Sequence, residues 1–264
     1  VVNAPINVAK GVTAIAVNGF NAQVAGFVTL TGDFGFQKNA GGDLIVASSN
    51  ASAQLTVGSA VKAGVTAAKL GLIIKPDQKI ALQASGTASF SLGNSFASAT
   101  ATSVAVAYNN TGADINQTLA ITIGGVAVSA PVVVKNGVTA VAVTGLNAQI
   151  GGFVTLTGNY GFQKTMGGDL IIASSSASAV LEVGTLVKAG VTGGTIGLII
   201  KPDQKIALQA SGAASFSLGS GFASASATGV AVAYNNTGAD IATTATITIG
   251  GTVVSAPINV LNGV

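Results

Sequence analysis

The chain has 264 residues, 49% of them hydrophobic, with 36 Gly and only 7% charged residues. That length and apolar share support a packed core and exclude a disordered chain. His and Cys are both absent, which excludes disulfides, thiolate or imidazole metal sites and any Cys- or His-based nucleophile pair.

The net charge of +3 comes from scattered Lys, without Arg. A nucleic-acid binder would gather such charges on one face among aromatics. Glu182 is the one Glu, so the charged outer face of a solvent-exposed helix cannot be built. The most apolar stretches, such as Gly125–Val134, are too short for a membrane helix. An aromatic-poor chain without Trp lacks the girdles of a membrane barrel. Neither nucleic-acid binding nor membrane insertion is expected.

Taken in chain order, residues 26–38 alternate, with Val28, Leu30, Phe34 and Phe36 on one side and Thr29, Thr31 and Asp33 opposite. A period of two is the mark of a half-buried strand. Residues 38–43 read as a turn, after which Leu44–Ala47 restarts a strand. Leu72-Ile73-Ile74 and Ile80-Ala81-Leu82 flank Lys75-Pro76-Asp77-Gln78. Proline presets φ at the second turn position and Asp suits the third, which predicts a β-turn between antiparallel strands. Residues 97–102 place Ala on one face and Ser or Thr on the other, small enough for two layers to approach closely. Val104–Tyr108 is a further strand, closed by an Asn-Asn-Thr-Gly turn. Ile121–Ile123 and Val126–Val128 flank Gly124-Gly125 as a two-residue hairpin.

This whole series then returns. Ala4-Pro5-Ile6 recurs as Ala130-Pro131-Val132 and Ala256-Pro257-Ile258; the Lys75–Lys79 and Tyr108–Asp114 segments recur 126 residues later. Residues 4–129 and 130–255 align without a gap and are identical at 92 of 126 positions, about 73%. Most exchanges conserve volume, as in Ile15/Val141 and Val46/Ile172, which a packed core tolerates. Such a period exceeds that of solenoid coils and suits a self-contained unit.

The expected architecture is therefore all-β: two tandem antiparallel β-sandwich domains, Greek-key or jelly-roll-like, with little or no helix. Repeat one spans 4–129 and repeat two 130–255, each with eight to ten strands. Residues 256–264 open a third repeat or supply a strand that completes a neighbouring domain; Ile6–Val8 and Val132–Val134 are candidates for the same completing role. The chain reads as a window on a longer array, its repeats stiffly coupled through the short Ala-Pro step.

Recurring Asp residues near turns raise the question of calcium, which needs several oxygen ligands. The best cluster is Asn109 with Asp114, repeated as Asn235 with Asp240. No loop has the dense spacing of a dedicated calcium loop, and Asp is also an ordinary turn residue. Lys38/Lys164 and Lys75/Lys201 read as solvated strand-end charges. Asn109-Asn110-Thr111 fits the glycosylation acceptor pattern and recurs at Asn235. Without His there is no Ser triad, and the Gly-rich turns lack the helix and Lys of a phosphate loop, so the chain is expected not to be an enzyme.

Residues 34–49, 75–86 and 96–115 together resemble repeats of very large bacterial cell-surface, adhesin-like or extracellular matrix proteins. The resemblance covers essentially the whole chain. It implies near-identical β domains strung into extracellular stalks, often calcium-dependent. It also implies an extracellular or cell-surface location, and neighbouring repeats or identical chains as partners. The function expected is that of a structural module in a stalk, fibre or matrix filament. The alternatives are a self-assembling lattice subunit with strand exchange, or a carbohydrate-binding adhesin module.

Overall fold

The computed structural model describes residues 10–24, 28–57, 61–92, 97–123, 125–150, 152–219 and 222–264. The segments 4–9 and Ile6–Val8, invoked above for the repeat junction, lie outside the described residues, as do Gly26, Phe27 and Gly124. Among the described residues every regular element is a strand, and no helix is long and apolar enough to cross a membrane. Repeat one supplies β1 (Thr13–Val24), β2 (Val28–Lys38), β3 (Leu44–Val57), β4 (Val61–Ile74), β5 (Ile80–Leu92), β6 (Ala97–Asn109), β7 (Ile115–Ile123) and β8 (Val126–Val134). Repeat two supplies β9 (Thr139–Ile150), β10 (Val154–Lys164), β11 (Leu170–Val183), β12 (Val187–Ile200), β13 (Ile206–Leu218), β14 (Ala223–Asn235), β15 (Ile241–Ile249) and β16 (Thr252–Val260).

Each repeat builds an antiparallel meander of six strands, because short turns let each strand pair with the one before it. The turn at Lys75–Lys79 follows the expected chemistry: Gln78 N–H donates to the Lys75 carbonyl at 2.9 Å, with Pro76 and Asp77 at the two central positions. The Gly-Gly turn between β15 and β16 has both glycines at positive φ, Gly250 at 55° and Gly251 at 86°. This is the twist-matched two-residue hairpin connection that only Gly adopts freely. Register shifts recur near the middle of successive strand pairs, from Val17/Phe20 to Thr66/Lys69 and Gly86/Ala88, and again in repeat two. Such bulges bend and twist a sheet locally.

The structure departs from two self-contained sandwiches in one respect. The two meanders are a single sheet of twelve strands, joined where β9 pairs antiparallel with β6 from Tyr108↔Thr139 to Ala97↔Ile150. The second layer of each repeat is one hairpin, β7–β8 or β15–β16, laid across a face of its own meander. Because the sequence is periodic, its repeat can be framed at any phase. The structural unit runs from the start of β1 to the start of β9, and residues 130–134 are the second half of β8, paired to β7. Residues 256–260 likewise finish β16. Pro131 and Pro257 sit opposite Thr118 and Thr244 in these two-stranded sheets, where each strand has an unpaired side and a missing N–H is tolerated.

The core forms where large hairpin side chains meet a floor of small residues. Leu119, Ile121, Val128, Val132 and Val134 are buried on the hairpin, Ala47 and Ala81 are buried beneath it, and Ala105 and Ala107 are buried where repeat two adjoins β6. Burial of each branched side chain contributes about 1.5–3 kcal/mol. Gly71 lies under the hairpin so closely that a Cβ there would meet Val132 Cγ2 at 2.5 Å and the Pro131 carbonyl at 3.0 Å. Gly197 stands in the same relation to Ile258. On the opposite face, the register aligns Phe36, Val46, Leu72, Leu82 and Tyr108 in a cross-strand row. Such rows of aromatic and branched side chains stabilise a sheet.

The small floor has a direct consequence. Gly71→Ala should cost about 1–3 kcal/mol by overpacking the hairpin, read as a fall in denaturant midpoint. Gly64→Ala, where the nearest atom to an added Cβ is 3.4 Å away, should stay within about 0.5 kcal/mol of wild type. Equal effects at the two sites would remove the close-approach account of the core.

Candidate functional site

The Tyr-Asn-Asn-Thr-Gly-Ala-Asp segment lies at the end of β6, where the chain leaves the sheet for the β7–β8 hairpin and later returns as β9. Asn109 is 1% exposed. Its Nδ2 donates to the carbonyls of Ala113 and Val134, both at 2.9 Å. Its Oδ1 accepts the Thr111 N–H at 2.9 Å and lies 2.7 Å from the Thr111 hydroxyl. Its backbone joins in as well: Asn109 N–H donates to the Val138 carbonyl at 3.0 Å, and Gly137 N–H donates to the Asn109 carbonyl at 2.8 Å. One residue thus ties together the loop after β6, the end of β8, and the residue that precedes β9.

Asp114 and Asn136 complete this clamp. Asp114 Oδ1 accepts the Asn136 N–H at 2.8 Å, and Asn136 Oδ1 accepts the Gly112 N–H at 2.9 Å. Asn110 faces the other way, its Oδ1 accepting the Ile80 N–H at 2.7 Å. Repeat two reproduces the arrangement with Asn235, Thr237, Asp240 and Asn262: Asn235 N–H donates to the Val264 carbonyl, and Gly263 N–H to the Asn235 carbonyl. A groove of about 460 Å³ runs beside the first clamp between the two hairpins, with Ala107 and Ala140 in its floor and Asp114 and Lys135 on its rim.

The sequence-derived cation candidates Asn109 and Asp114, and likewise Asn235 and Asp240, lie in one loop network, in which the Asn members are held as hydrogen-bonded clamps. A calcium ion takes bare oxygens. Here the Asn109 carboxamide oxygen is engaged by Thr111, and the neighbouring carbonyls of Ala113 and Val134 face the Asn109 N–H donors. Among the described residues no three His, Cys, Asp or Glu side chains gather as a metal site. Burial also removes Asn109 and Asn235 from reach as glycan acceptors.

The charged residues serve turns. Lys75 pairs with Asp43 at 2.9 Å and Lys201 with Asp169 at 2.8 Å, each linking two adjacent turns of the sheet. The hydrogen bond from Lys79 holds the exposed Asp77 carboxyl below the ordinary value, and Lys205 does the same for Asp203. A depressed carboxyl stabilises the fold above its unfolded pKa and loses that contribution as pH falls through the folded value; solvent screening keeps it small at these open positions.

Sequence reasoning missed three structural residues. Gln83, 3% exposed, has its Oε1 on the Val133 N–H at 2.8 Å and fastens β8 to the sheet, as Gln209 does for Asn259. Asp33 Oδ1 accepts the Gly19 N–H at a bulge, and Asn159 does the same for Gly145, which explains why Asp and Asn exchange there. Asn136 and Asn262 were hidden because residue 10, the position 126 residues before Asn136, is Lys. Comparison with family models, with curated proteins and with solved structures returned no match.

Clamp and cation site predict opposite results for Asn109→Asp. The clamp loses two donors and leaves buried carbonyls facing a carboxylate, costing roughly 3 kcal/mol, with no recovery on adding calcium. A cation site would gain a ligand, and stability restored or raised by calcium in thermal melts would contradict the clamp.

Proposed function

We propose that the chain is a structural repeat module of an extracellular bacterial surface stalk, fibre or matrix filament, serving as a spacer and not as an enzyme. The observation that carries this reading is the uninterrupted sheet across the repeat boundary: β6 on β9 makes the second repeat an extension of the first. Each repeat remains a two-layer unit of meander plus hairpin, the form in which a tandem-sandwich description applies. Several polar side chains that recur between repeats, among them Asp43, Lys75, Gln83, Asn109 and Asp114, are engaged in turns and clamps. That is the pattern expected when selection keeps a scaffold. The extracellular location rests on the resemblance in sequence style, and calcium is not part of the proposal because the Asn109 and Asn235 carboxamide oxygens already accept hydrogen bonds from Thr111 and Thr237.

The geometry also sets the kind of mechanics. Strands lie across the long direction of the sheet, and β1 and β14 are its opposite edges. Length then grows by the strand spacing, roughly 4.8 Å each, or roughly 29 Å per six-stranded repeat. Tension between the edges would load the ladder hydrogen bonds in series, so the arrangement suits holding a distance more than resisting a pull.

Electron microscopy of chains engineered with two, four and six repeats tests this directly. Stiff particles should lengthen by roughly 29 Å per added repeat. Globules that lengthen irregularly, or beads at variable angles, would overturn the spacer reading.

A further inference from the structure

We propose that the turn Lys135–Val138 is a chemical modification site that the Asn109 clamp holds shut: Asn136 converts to aspartate and isoaspartate only when the clamp opens. The guard rests on the bonds of the clamp and does not depend on the spacer reading.

The dipeptide Asn136-Gly137 is the reactive element. In an Asn-Gly pair the glycine nitrogen can attack the Asn side-chain carbon, because the following residue has no Cβ to block the approach. The N–Cγ bond forms, the Cγ–Nδ2 bond breaks, and the glycine amide proton leaves with that nitrogen as ammonia. Water then opens the succinimide at one carbonyl or the other, giving aspartate or isoaspartate. Asn is accordingly among the residues that heat-stable proteins use sparingly.

The fold needs this dipeptide nonetheless. Gly137 stands at φ 73°, in the left-handed region that favours glycine, and Val138 N–H donates to the Lys135 carbonyl at 3.4 Å across the turn. Asn136 supplies the Oδ1 that accepts the Gly112 N–H at 2.9 Å. Asn262-Gly263 repeats both roles, with Gly263 at φ 84° and Asn262 Oδ1 accepting the Gly238 N–H at 3.0 Å. Lys10-Gly11 holds the equivalent place ahead of β1, and a lysine has no carboxamide for the ring to close on.

Both reacting groups of Asn136-Gly137 are engaged. The nucleophile is Gly137 N, which must lose its proton to attack, and that N–H donates to the Asn109 carbonyl at 2.8 Å. The electrophile is the Asn136 carboxamide, which the Gly112 N–H holds in place. Closing the ring breaks both bonds and turns the Asn136 peptide, whose own N–H is fixed by Asp114 Oδ1 at 2.8 Å. Met166 lies over the turn, its Sδ 3.7 Å from Asn136 Nδ2, and a Cβ on Gly137 would meet Met166 Cβ at 2.7 Å. Reaction therefore waits on a local opening, and the free energy of that opening sets the rate. The other two Asn-Gly pairs of the chain are tied in the same way. Gly263 N–H donates to the Asn235 carbonyl at 2.8 Å, and Gly19 N–H, after Asn18, donates to Asp33 Oδ1 at 2.9 Å. The isoaspartate product also spoils the clamp. It routes the main chain through the former side chain, adding a methylene just ahead of Val138, whose carbonyl accepts the Asn109 N–H.

Peptide mapping by mass spectrometry, after incubation at mildly alkaline pH, reads the conversion as the mass gain of carboxamide to carboxyl. In the native chain Asn136 should convert at least about tenfold more slowly than in the same chain unfolded in guanidinium chloride, the factor that an opening free energy of about 1.4 kcal/mol gives. Asp114→Ala removes the acceptor of the Asn136 N–H and leaves Asp240 in place. It should speed conversion at Asn136 several-fold while Asn262 keeps its wild-type rate. Equal native and unfolded rates at Asn136 would overturn the proposal. Equal acceleration of Asn136 and Asn262 in Asp114→Ala, the sign of general unfolding, would overturn it too, as would no acceleration at Asn136.

Discussion

Everything in this molecule depends on the backbone ladder between β6 and β9. Without it the chain would be two meanders, each with a hairpin on one face and two open edges. With it, the last strand of one repeat and the first of the next become interior strands, and Ala105, Ala107, Ala140 and Ala142 are buried at the joint. The clamp at Asn109 makes that pairing local. After a detour through β7 and β8, the chain is delivered back to the end of β6 by hydrogen bonds from and to Asn109. The loop-closure entropy of bringing β9 to β6 is thereby lowered, because the clamp fixes one end of the new strand before the ladder forms.

The hairpin layer is the second dependency. A lone six-stranded sheet of Ala, Val and Ser buries too little to stay flat against water. The hairpin supplies the large side chains, and the sheet supplies a floor of Ala and Gly that lets them descend to backbone level. This division explains the composition: abundant Gly and Ala are half of a complementary pair whose other half is Ile, Leu and Val on β7, β8, β15 and β16. The exchange Leu119/Ala245 shows the limit of the symmetry, since a large hairpin side chain in one repeat becomes small in the other while both remain buried.

Much of the local structure was legible in the sequence. The Lys-Pro-Asp-Gln turn, the Gly-Gly hairpin, the strand over residues 28–38 and the period of 126 residues each carry their own chemical signature and have a counterpart in the structure, but the buried side of that strand is the one that carries Gly35, and Phe36 is 40% exposed. Strand partnership was not legible, for a physical reason. Ladder hydrogen bonds are made by backbone groups common to every residue, and the segments Ala105-Val106-Ala107 and Ala140-Val141-Ala142 are nearly interchangeable with others in the chain. A chain of such strands does not announce whether its repeats close separately or share a sheet. The site was half legible: recurrence singled out Asn109 and Asp114, and both take part in the hydrogen-bonded network after β6. Asn109 was weighed there for its oxygen, whereas its two amide donors and its burial give it its role as a clamp.

Amide hydrogen exchange on the wild-type chain tests the shared sheet most directly. Amides of Val104–Tyr108 and Thr139–Val143 should exchange as slowly as those of β3, β4, β11 and β12, and far more slowly than the equivalent residues of the edge strands β1 and β14. Fast exchange at β6 and β9, matching β14 and β1, would mean that the repeats are separate bodies and would contradict the account.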